Sequence, residues 1–236
     1  MARSVLSVHC SLSTDHSPPS AVVAVVHCCG RDAGLLPHFR RMWEQTWPGC
    51  GMVLAEDPVD PLPHGAADGL PVVPCHWQIG PRARAVLDAM VLAALEFPAA
   101  EWIVKTDVDV AHLSRAWLDG ARADSRMVAL QNGTGGWAGI LGMAFALRRR
   151  LLMEIHAGEE CNRPGPETQW ILAAARKRAL NEVWVWPHAP RQGGLYASML
   201  LPEKAALYRE TYSLVNCGVF PRERAAKLMA GFGGGG

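Results

Sequence analysis

The run Ala21–Cys28, AVVAVVHC, constrains the chain more than any other segment. It is continuously apolar and β-branched, with none of the alternation that marks a strand with one wet face. Such a run is the signature of a strand buried on both faces, so structure must pack above and below it. Gly30–Gly34 breaks the run, and Leu35–Trp47 then sets Leu36, Phe39, Trp43 and Trp47 at helical spacing, with Pro37 tolerable in the first turn. Gly51–Ala55 reads as a second strand ending at Glu56 and Asp57, followed by a Pro- and Gly-rich loop from Pro58 to Pro71. Pro71–Cys75 is a short strand that its prolines confine to an edge or an end. Arg82–Leu95 places Val86, Leu87, Met90, Val91, Ala94 and Leu95 on one helical face, and Glu101–Val104 is a strand running straight into Lys105–Asp109.

Strand and helix alternating in this way predict a three-layer α/β/α sandwich with a mostly parallel central sheet. In such sheets ligands bind at the carboxyl ends of the strands. Cys28–Arg31, Glu56–Asp57 and Asp107–Asp109 all fall at strand ends, so three polar elements distant in sequence are expected on one rim. Further on, Met127–Gln131 reads as a strand, Asn132–Gly136 as a Gly-rich turn, and Gly139–Leu147 as an apolar segment of ambiguous type. Glu167–Leu180 is a helix, Val183–Trp186 a short strand and Lys204–Thr211 a late helix. No internal repeat or clean boundary divides them, so residues 21–230 are expected to form one domain. A loose Ser-, Pro- and His-containing arm over residues 1–20 precedes it, and a flexible Gly-rich tail over 231–236 follows.

Charge narrows the partners. With 23 Lys+Arg against 22 Asp+Glu the net charge is +1, which supplies no global field for nucleic acid or an anionic membrane. No apolar run approaches the ~20 residues that span a bilayer. Seven cysteines, an odd number without regular spacing, read as buried free thiols of a cytoplasmic protein, and the N-terminus lacks the apolar core of a signal peptide. His27 and His112 flank the expected rim and read as structural, and the Arg148–Arg150 and Arg176–Arg178 runs read as solvated helix faces.

Asp107-Val108-Asp109 is the most informative spot. Two carboxylates directly after a buried strand repel each other and lose hydration unless a cation neutralises them. Hard ions such as Mg²⁺ and Mn²⁺ prefer carboxylate oxygens and commonly bridge substrate phosphates.

The segment EWIVKTDVDVAHL resembles the centre of glycosyltransferases with the GT-A (Rossmann-like) fold, in which an apolar strand ends in D-x-D. Its Lys-Thr-Asp-x-Asp-Val form is similar to the inverting β-1,3-galactosyltransferase and fringe-like families. Upstream, the segment from Gly80 to Ala89 resembles the G-x-x-x-A-R-N segment of family 2 glycosyltransferases, with Ala85 where Asn is usual. The matching pieces lie scattered between Ala21 and His188, and their order and spacing agree.

That resemblance implies a nucleotide-diphosphate sugar as donor, a UDP-sugar being favoured, and Mn²⁺ or Mg²⁺ as cofactor. Asp109 would ligate the metal directly, with Asp107 contacting the ribose or a metal-bound water and His188 as a third ligand. Glu56 or Asp57 would accept hydrogen bonds from the base or ribose, and Arg82 and Arg84 would reach the base or diphosphate. Gly136 and Trp137 resemble the small-residue loop beneath the donor sugar, and Arg191 would contact phosphate. Glu167 stands where inverting members place the general base that deprotonates the acceptor hydroxyl; Thr168 departs from the second acid of that pair. The acceptor stays open between a glycan, a small molecule, a protein and modified DNA, and no obligate protein partner is implied. Two rival readings remain: a nucleotidyltransferase that makes sugar nucleotides, and a non-catalytic module that binds them.

Overall fold

The structure is a computed structural model that describes residues 22–131, 140–186, 194–196, 201–218 and 221–233. The apolar run forms β1 (Val22–Cys28) inside a seven-stranded sheet. Its neighbours are β2 (Gly51–Glu56) on one side and β4 (Trp102–Asp107) on the other, both parallel to it. The edge beyond β2 is β3 (Val72–Pro74), whose shortness and proline suit an edge. On the far side of β4 lie, in order, β7 (Ile140–Arg148), β6 (Met127–Gln131) and β8 (Val183–Trp186). The ambiguous apolar segment is therefore a strand, and β7 alone of the seven runs against the others.

Alternate residues of β1 feed two separate cores, which is why the run carries no polar residue before His27. Val22, Ala24 and Val26 face α1 (Leu36–Thr46), α6 (Ala205–Thr211) and α7 (Arg222–Gly233). Val23 and Val25 face α2 (Arg82–Glu96), α4 (Arg149–His156) and α5 (Glu167–Ala179). The result is the expected α/β/α sandwich. A second, three-stranded sheet of β5 (Val110–His112), β10 (Leu214–Asn216) and β9 (Gly194–Tyr196) had no clear signal, since three-residue strands offer too little periodicity. A one-turn helix, α3 (Ala116–Asp119), follows β5.

Two expectations are corrected. The tail expected over 231–236 is helical as far as Gly233, because α7 continues to that residue and Phe232 is buried in the core. The arginine runs are not simply solvated faces. Arg149 donates to the carbonyls of Ala94, Phe97 and Ala100, closing the end of α2. Arg148 lies over the Trp102 ring and pairs with Glu101 at 2.9 Å, while Arg178 bonds Glu160 and two carbonyls. Arg150 is exposed. The arm over 1–20 and the Asn132–Gly136 turn lie outside the described residues, and of the tail only residues 231–233 are described. The six described cysteines are free, and all but Cys50 are buried. Among the described residues no helix is long and apolar enough to cross a membrane.

Candidate active site

Parallel pairing sets the rim. His27 of β1 is level with both Ala55 of β2 and Asp107 of β4, and Cys28 is level with Glu56. Three strands thus end at one height, and the chain leaves each through a polar turn. The exit from β1 is a 3₁₀ turn over Gly30–Leu35 that carries Asp32. The loop after β2 crosses above it closely: Gly30 N–H donates to Asp60 O at 2.6 Å, and a Cβ on Gly30 would stand 2.6 Å from Pro61 O.

Strand alternation then decides which side chains enter the cleft. Lys105 and Asp107 are two apart at the end of β4, and their side chains meet at 2.6 Å. Lys105 is 1% exposed and also donates to Gly142 O of β7, while Glu167 Oε1 at the start of α5 lies 3.4 Å from its ammonium. Burial alone would lower the Lys105 pKa, but Asp107 and Glu167 outweigh it and push it up to about 12. Burial raises Asp107 to about 6, with Lys105 opposing and Asp109 and Glu167 adding to the rise. Beyond the strand, Asp109 Oδ2 pairs with Arg222 Nη1 of α7 at 3.1 Å, and Arg222 Nη2 reaches Asp32 Oδ1 at 2.7 Å. β10 fastens the same turn, because Cys217 N–H donates to Asp109 O at 2.6 Å.

These groups line a cleft of about 350 Å³ with His27, Trp77 and Arg31 at its walls. Its acids are Asp32, Asp107, Asp109 and Glu167, and its bases are Arg31, Lys105 and Arg222, so carboxylates exceed cations by one. An all-oxygen donor pair in a cleft with surplus negative charge suits a hard divalent cation. Lys105 and Arg222 each engage one carboxylate oxygen of the D-x-D pair. Among the described residues no set of three His, Cys, Asp or Glu side chains forms a ready-made metal centre.

The other expected residues are not all gathered in this cleft. Glu56 accepts the Leu62 N–H at 2.7 Å and Asp57 accepts the Val59 N–H at 3.0 Å, so both shape the loop after β2. Asp57 is fully buried, and its Oδ2 has no partner among the described residues. Arg82 stands 5.2 Å over the Trp77 ring, at the cleft edge. Arg84 is not brought there: its guanidinium is taken up by Asp88 and by the ring and carbonyl of His156 on α4. Gly136, Trp137, His188 and Arg191 lie outside the described residues. His112 is the structural residue expected, packed edge-on against Phe39 and Trp43, whereas His27 is part of the cleft wall.

Sequence reasoning missed Asp32, Trp77 and Arg222, and gave Lys105 no role. Lys105 had a legible signal, since it shares a strand face with Asp107. Arg222 had none, being 113 residues from its partner Asp109.

No family model and no curated protein matches the sequence. Solved structures do match the backbone. One is a glycosyltransferase involved in glycosylation of the major capsid of PBCV-1, at a TM-score of 0.61 and 11% identity, covering 89% of this chain and 99% of that one. This chain has the GT-A fold. A second GT-A likeness is to WbbM, a bifunctional glycosyltransferase, at a TM-score of 0.57 and 9% identity; 94% of this chain covers 51% of WbbM.

Proposed function

We propose that this chain is a metal-dependent glycosyltransferase, moving a sugar from a nucleotide-diphosphate sugar to an acceptor hydroxyl with inversion. The observation that carries the reading is the meeting of Asp107 and Asp109, after β4, with Glu167, at the start of α5, around one cleft of a GT-A fold. A UDP-sugar as donor and the cytoplasm as location rest on the sequence resemblance and the free thiols.

Asp107 and Asp109 would hold Mn²⁺ or Mg²⁺, which supplies positive charge to the departing diphosphate. Glu167 would take the proton of the acceptor hydroxyl as its oxygen bonds to the anomeric carbon and the carbon–oxygen bond to the diphosphate breaks. Lys105 sets the spacing of these acids, touching Asp107 and Glu167 at once. Trp77, backed by Arg82, offers a flat face for a ring at the cleft wall. The test is donor hydrolysis or transfer with and without EDTA, in wild type and in Asp109→Ala. Both treatments are expected to abolish turnover; undiminished activity after both would sink the metal mechanism.

A further inference from the structure

We propose that Arg222 is the resident counter-cation of Asp109 in the D-x-D pair and that it competes with the divalent ion for that carboxylate. The inference rests on the metal-site reading above. It extends that reading to a residue 113 positions away in sequence that no motif marks.

The geometry is specific. Arg222 enters the cleft from the first turn of α7 and divides its guanidinium between two acids, Asp109 Oδ2 at 3.1 Å and Asp32 Oδ1 at 2.7 Å. All three side chains are largely shielded, being 20%, 15% and 10% exposed for Arg222, Asp109 and Asp32. In such surroundings charges act strongly on one another, because solvent screens them weakly. The space beside Asp109 Oδ2 is also tight. A Cβ on Gly218 would stand 2.5 Å from that oxygen and 2.8 Å from Asn216 Oδ1. A guanidinium and a metal ion cannot share this oxygen freely: each would occupy its lone pairs and repel the other.

Asp32 makes the exchange reversible. When the ion takes Asp109, Arg222 keeps its second carboxylate and stays in the cleft as a forked donor, the geometry that suits phosphate oxygens. When the ion leaves, Arg222 returns and the D-x-D acids are not left bare. Coupling must be reciprocal: whatever the ion loses by displacing Arg222, the variant without Arg222 regains.

The experiment is a titration of the metal-free full chain with Mn²⁺ alone, followed by the electron paramagnetic resonance signal of free Mn²⁺. Arg222→Gln should bind Mn²⁺ about fivefold or more tightly than wild type, Arg222→Lys should fall between, and Asp109→Asn should lose the site. UDP binding without metal should weaken in Arg222→Gln. Unchanged or weaker Mn²⁺ binding in Arg222→Gln would overturn the proposal, since an arginine that merely tethers α7 lowers the melting temperature without tightening metal. Wild-type protein supplies a second measurement if that variant fails to fold: Mg²⁺ should shift the Arg222 Nε–H resonance, and an unmoved resonance at saturation also overturns the exchange. Metal exchange without any donor turnover would remove the glycosyl-transfer reading and leave the exchange standing. Absence of a Mn²⁺ site that Asp109→Asn abolishes would remove both.

Discussion

At the scale of single residues, Lys105 is the group on which the cleft depends most. It is the buried cation between Asp107 and Glu167, and Lys105→Met would leave two carboxylates facing each other without it. Losing one partner of a buried pair costs about 3–5 kcal/mol, readable by urea denaturation. The loss has a definite pH sense. Asp107 has its folded pKa raised to about 6, above its ordinary value, so its neutral form suits the fold. Its contribution is therefore full at low pH and lost as pH rises through 6. The penalty of Lys105→Met should be smaller at pH 5 than at pH 8; equal penalties would contradict this account. Glu167→Gln should lower kcat by about 10²- to 10⁴-fold while leaving Mn²⁺ affinity near that of wild type, since Glu167 is assigned the proton and not the metal. The acids were legible because D-x-D and a helix-opening Glu are local patterns. Asp32 and Arg222 were not, because only folding brings them together.

At the scale of elements, length helped to decide what could be read, although the three-residue β3 was legible from its prolines and the nine-residue β7 stayed ambiguous. β1, α1, α2 and α5 each run long enough for periodicity to show, and their observed limits differ from expectation by only a residue or two. β5, β9 and β10 are three residues each, and no period is visible in three residues. The arginine runs failed for a different reason: composition cannot tell a solvated guanidinium from one that closes a helix. Arg149 offers its donors to the carbonyls of Ala94 in the last turn of α2 and of Phe97 and Ala100 beyond it. Arg149→Ala should destabilise the chain by about 1–3 kcal/mol and raise amide exchange in the last turn of α2 before other helices. An α2 terminus as protected as in wild type would count against that role. α7 was obscured by its glycines, and Phe232, 1% exposed, holds it to the core. Phe232→Ala should cost about 3–5 kcal/mol by denaturant titration.

At the scale of the whole molecule, charge is balanced locally. The near-equality of 23 bases and 22 acids conceals a cleft where acids outnumber bases, compensated elsewhere by arginines spent on helix ends. The convergence of three strand ends on one rim was legible from alternation alone, because parallel pairing forces it. Acid should unsettle the molecule as a whole. His112 is buried against Phe39 and Trp43, and burial lowers its pKa to about 3. A base with a depressed folded pKa adds stability above its unfolded value near 6.5, which is lost as pH falls through 3. The melting temperature should therefore decline on acidification below pH 6.5, and His112→Gln should flatten that decline even from a lower starting point.

The tie from Asp32 through Arg222 to Asp109 also bears on the order in which the molecule is made. Synthesis delivers β1, β2 and β4 long before α7, so the residues of the acidic rim are made well ahead of Arg222. A chain halted before residue 222 lacks Arg222 together with Leu228, Met229 and Phe232, which share a core with Val22, Ala24 and Val26 of β1. The helix made last is thus the one that ties down the exit of β1, and this tie can form only once the chain through Arg222 exists.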